Sequence, residues 1–113
     1  MKADDPEILN VGLDLAMEWG PNWLADIQPR LAERHPELGA EALDAYDAVC
    51  RAAMRWGHAQ VPVHWHAAGG DQAEASRRFD EAVRARYPWI SEKNLSHLFS
   101  QGCYYAWKDG DLG

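Results

Sequence analysis

Two stretches decide the fold: Ile27-Gln-Pro-Arg-Leu-Ala-Glu-Arg-His-Pro-Glu-Leu-Gly-Ala-Glu-Ala-Leu43 and Phe79-Asp-Glu-Ala-Val-Arg-Ala-Arg-Tyr-Pro-Trp-Ile-Ser-Glu-Lys-Asn-Leu95. At a constant offset, Ile27, Leu31, Arg34, His35, Pro36 and Leu38 meet Phe79, Val83, Arg86, Tyr87, Pro88 and Ile90. One inserted residue later, Tyr46, Cys50, Ala53 and Gly57 meet Phe99, Cys103, Ala106 and Gly110. Each stretch reads as a helix, a break and a second helix. The proline disfavours helix at the residue before it. Gly39 and Ser91 then sit at the N-cap. Leu38 and Leu43, like Ile90 and Leu95, stand at the N′ and N4 positions of a hydrophobic staple. The staple fixes the angle at which the next helix leaves, so each stretch predicts a tight antiparallel αα-hairpin. An internal duplication and a twice-used turn chemistry explain the pairing equally well.

Working outward, Asp5-Pro6-Glu7 is a helix start: a capping carboxylate, a proline at the first helical position and an acid at the positive end of the dipole. Ile8, Leu9, Gly12, Leu13, Ala16 and Trp19 then form an apolar face, and Gly20-Pro21 stops it. Asn22 can cap the next helix, which Pro29 kinks or divides. The prediction is an all-α, compact five-helix bundle in a single domain: an N-terminal helix (about 6–19), hairpin A (about 22–57), a linker (58–70) and hairpin B (about 71–109). A pseudo-two-fold axis could relate the hairpins.

Composition narrows the function. The chain has 113 residues and a formal charge of −7. Residues 1–50 hold eleven acids and three bases, and residues 51–113 seven acids and eight bases. Such a chain repels a phosphate backbone, so no nucleic-acid partner is expected, whereas a basic protein partner fits the charge. No apolar run reaches the roughly 18 residues of a membrane span, and the start of the chain lacks a secretory signal pattern, which predicts a cytoplasmic protein with no membrane partner. Cys50 and Cys103 fall on helix stripes and read as buried thiols. On residues 71–87 the arginines are matched by acids at helical spacing, which predicts an ion-paired outer face.

The chemistry-bearing residues lie outside the shared pattern. His58, His64 and His66 fall within nine residues of the 58–70 linker. If that segment is extended, His64 and His66 share a side. Together with His58 they are the candidate ligands for a transition metal, since imidazole suits zinc, nickel or copper. No zinc-finger spacing and no nucleophile–base pattern accompanies them, so no catalytic residue is assigned. Aromatics are the other surplus: six tryptophans and four tyrosines. Tyr104, Tyr105 and Trp107 cannot all face inward on a helix whose core stripe is Leu98, Phe99, Cys103 and Ala106. With Trp65 they are the candidate interaction surface. The leading expectation is an interaction module that binds itself, as a homodimer, or another protein. The alternatives are a metal- or small-ligand-binding bundle using residues 58–66, and an enzyme with a histidine acid/base in that segment.

Overall fold

The computed structural model describes residues 3–112 and is all-α. Its helices are α1 (Pro6–Ala16), α2 (Gln28–Arg34), α3 (Ala40–Ala67), α4 (Gln72–Arg86) and α5 (Glu92–Lys108), with a 3₁₀ turn at Gly20–Asn22. The chain forms two packing units, one up to Met54 and one from Arg55.

In the first unit, Asp5 caps α1 by accepting from the Glu7 amide at 3.0 Å. The helix ends at Ala16, earlier than its apolar stripe predicts. Arg30 explains the stop: its guanidinium donates to the Leu15 carbonyl and pairs with Glu18, supplying the cation that the last turn of α1 lacks. Trp19 therefore leaves the core, is exposed, and lies against Trp23. Met17 is fully buried instead, with Leu9, Leu13, Ile27, Leu31 and Cys50. Pro29 divides the second helical region rather than kinking it. It sits in the first turn of α2, where a missing N–H costs nothing.

The predicted linker at 58–70 is the main departure. Residues 58–67 are helical, and α3 runs through both Gly57 and Pro62. The physical reason is packing. A Cβ on Gly57 would lie 2.5 Å from a Leu98 methyl, and a Cβ on Gly102 would lie 2.5 Å from a Val61 methyl. Each glycine is a notch that receives the other helix's side chain, so α3 and α5 approach closely. Helix through glycine costs about 1 kcal/mol and through proline about 3 kcal/mol. Burying Val61 completely offsets about 2 kcal/mol of this. The partly buried hydrogen bond between His58 and Gln101 contributes about 1 kcal/mol more. Leu98, fully buried in the notch at Gly57, adds about 2 kcal/mol, so tertiary contact outweighs local propensity.

The connection that remains is short. α3 ends at Ala67 and is capped by the turn through Gly69, with φ +64°, where the Gly69 amide donates to His66 O and the Gly70 amide to Trp65 O, both at 3.0 Å. Asp71 then caps α4 through the Glu74 amide, and Ser91 caps α5 through the Asn94 amide. Phe79, Val83, Leu95 and Leu98 complete the core of the second unit. Phe79 and Phe99 pack with ring centroids 5.2 Å apart.

Candidate functional site

The second unit carries an open groove of about 790 Å³ between α4 and α5. On α5, Ser96, Ser100, Cys103, Tyr104 and Trp107 line it, a set that recurs at three- and four-residue intervals and so shares one helix face. From α4 come Gln72, Ala73 and Ser76. Phe99 forms the floor. Trp65, at the last turn of α3, and Leu112 of the tail close one end. No charged side chain lines this groove.

Three of the four candidate interaction residues meet here. Tyr104 and Trp107 are 45% and 69% exposed, and their rings lie 6.4 Å apart. Trp65 reaches the same groove from α3 only because α3 extends past Gly57. Tyr105 does not line the groove: its ring lies edge-on to Tyr104 at 5.6 Å and packs on its other side against the His58 imidazole at 5.1 Å.

The three histidines are dispersed by the helix that carries them. At 100° per residue, positions 58, 64 and 66 point to different faces, and the extended geometry that would pair His64 with His66 is absent. Each ring has its own partner. His58 Nε2 lies 3.0 Å from Gln101 Oε1, inside the α3–α5 contact. Burial holds its pKa below the ordinary value, opposed by the Gln101 bond and aided by His97. His64 Nε2 lies 3.2 Å from Gln60 Oε1 one turn back, and burial followed by Arg78 lowers its pKa. His66 Nε2 donates to the Asp111 carbonyl at 2.6 Å, tying the tail to α3. Among the described residues no three His, Cys, Asp or Glu side chains are grouped to hold a metal ion.

The cysteines differ from one another. Cys50 is fully buried and donates to Leu9 O at 3.3 Å, and burial pushes its pKa up to about 12. Cys103, expected to be buried, is only partly so and forms part of the groove wall; burial raises its pKa too. On the outer face of α4, Arg77 pairs with Glu74 and Glu81, and Arg78 with Glu74. Arg84 pairs with Glu92 at 3.7 Å. Arg86 covers the Trp56 and Tyr87 rings.

Ser76, Ser96 and Ser100 escaped the sequence reading, because small polar residues give no signal until two helices place them on one furrow. The available signal was the spacing of Ser96 and Ser100 to Tyr104 and Trp107; Ser76, on α4, had none. No protein-family model, curated protein or solved structure matches the chain. Among the described residues no helix is long and apolar enough to cross a membrane.

Proposed function

We propose that the chain is a small helical protein-interaction module, and that its second unit docks a protein partner in the α4–α5 groove. The observation that carries this reading is the meeting of Trp65, Tyr104 and Trp107, from two helices, around one uncharged and solvent-open groove. Exposed tryptophan and tyrosine at the rim of a concave apolar surface are the composition of an interface centre, where a few aromatic side chains supply most of the binding energy. Uncharged walls suit apolar partner side chains and offer no countercharge to a phosphate. The openness of the groove fits a macromolecular surface better than an enclosed small molecule. A second copy of the chain is one such partner; a different protein is the other.

The test is affinity capture from the source cells with the full chain and with Trp107→Ala, alongside light scattering of both. A genuine partner, or a dimer, is lost by about 30-fold or more in affinity, matching the roughly 2 kcal/mol of a hot-spot residue. Because Trp107 is exposed, the variant melts like the parent. Retention of every partner by the variant, with unchanged oligomeric state, refutes the proposal.

A further inference from the structure

The aromatic groove continues into a smaller hollow of about 300 Å³, and the two share Ser76, Ser96 and Phe99 as walls. Together they make one furrow. Along α5 it reaches from Trp107 to Glu92, a rise of roughly 22 Å, or four helical turns. The two ends differ in chemistry. Around Trp107 the walls are aromatic and uncharged. At the far end Asp80, Arg84 and Glu92 line the hollow, so two carboxylates face one guanidinium. Arg84 lies 3.7 Å from Glu92, while Asp80 feels burial first, then the Arg84 charge, then repulsion from Glu92. The net effect raises the Asp80 pKa above its ordinary value. The neighbouring Arg77 and Arg78 are engaged by Glu74 and Glu81 and do not offset this end.

We propose that the furrow takes an amphipathic helix of a protein partner, with an apolar stripe over Trp65, Tyr104 and Trp107 and one lysine or arginine set between Asp80 and Glu92. This rests on the interaction reading above and names the partner's chemistry. The helical form follows from the walls. Side chains on two helices offer an incoming extended peptide no backbone ladder, so the N–H and C=O groups it turns toward the walls would lose water unpaired, whereas a helix satisfies its own. Apolar residues at i, i+3 or i+4, and i+7 match a furrow of this length. The cation follows from the unbalanced carboxylate, and the net charge of −7 favours the approach of a basic partner.

A display library of helix-forming 15-residue peptides, selected on the full chain, tests this. The selected peptides are then measured calorimetrically against the parent, Trp107→Ala and the double variant Asp80→Asn/Glu92→Gln, with circular dichroism confirming that each is folded. The expected winners carry an apolar stripe and a lysine or arginine near one end. Trp107→Ala weakens them at least tenfold. The double variant weakens them about tenfold, and replacing the peptide's cation by alanine gives the same loss without adding to it. No selected peptide, winners lacking a cation, or winners indifferent to the double variant overturns the inference while Trp107 dependence keeps the groove reading. Indifference to Trp107→Ala overturns both. A parent dimer that Trp107→Ala dissolves makes a second copy the occupant and overturns the basic helix.

Discussion

Helices α3 and α5 are entered through the same turn and left through the same cap, yet α3 has 28 residues and α5 has 17. At the entry, His35 and Tyr87 have φ, ψ of −133°, 73° and −128°, 72°. Their amides donate to Leu31 O and Val83 O at 2.8 and 2.7 Å, and the Leu38 and Ile90 amides donate to their carbonyls at 3.1 Å in both copies. At the exit, Gly69 and Gly110 both have positive φ, +64° and +79°. The two bonds at Gly69 recur at the second exit: the Gly110 amide donates to Trp107 O and the Asp111 amide to Ala106 O. The helices thus differ by an interior stretch of three turns. That stretch contains His58 and Val61, which pack against α5, and Trp65, which walls the groove. The hairpin supplies a frame twice, and the part present once supplies the site.

Gly57 and Gly110 sharpen the lesson, because they align in sequence and do opposite things. Gly110 ends a helix by taking a left-handed φ. Gly57 stays helical because Leu98 occupies the space its side chain would need. The largest expected effect comes from filling that space. Gly57→Ala should destabilise the chain by about 2 kcal/mol in urea denaturation, since the fully buried Leu98 has little room to move. Gly110→Ala should cost about 1 kcal/mol through backbone strain alone, nothing being packed against that position. Equal costs, or a gain at Gly57 from helix propensity, would break the distinction.

Pro62 offers the opposite sign. Its ring leaves the His58 carbonyl without an intrahelical donor. Pro62→Ala should restore that bond and stabilise the protein by about 2 kcal/mol. A neutral or destabilising result would show that the extra turns depend on the ring or are not helical.

The smallest effect is electrostatic. Burial lowers the folded-state pKa of His58 from its ordinary 6.5, so the unfolded chain binds the proton more readily. Stability from this group is therefore fully present above about pH 6.5 and declines as the pH falls from there to the lower folded-state value. Subtracting the pH profile of His58→Gln from that of the parent should leave such a slope. An identical profile would show that His58 opens to solvent.

The hairpins were legible because their signals are local: a proline break, a cap and a staple lie within nine residues and carry their own mechanism. The caps at Asp5 and Ser91 and the ion-paired face of α4 were legible for the same reason. Residues 58–67 were not. Glycine and proline read locally as breakers, and only the fit of Val61 against Gly102 and Leu98 against Gly57 overrides them. Misreading that segment as extended placed His64 and His66 together, when the helix turns them apart. The aromatic surplus survived the error, since Tyr104 and Trp107 had no inward place on α5 in either reading. Tyr105 keeps an edge contact with Tyr104 but lies off the groove, against an imidazole whose position depended on the missed helix.

The cap at Gly110 does more than end α5. Its left-handed turn and the bond from Asp111 to Ala106 fold the chain back so that Leu112 becomes a wall of the groove, while His66 clips the same tail from α3. Groove depth is therefore set by chain length as well as by lining chemistry. One residue added or removed between Lys108 and Leu112 would reshape the mouth of the groove without touching a single aromatic side chain.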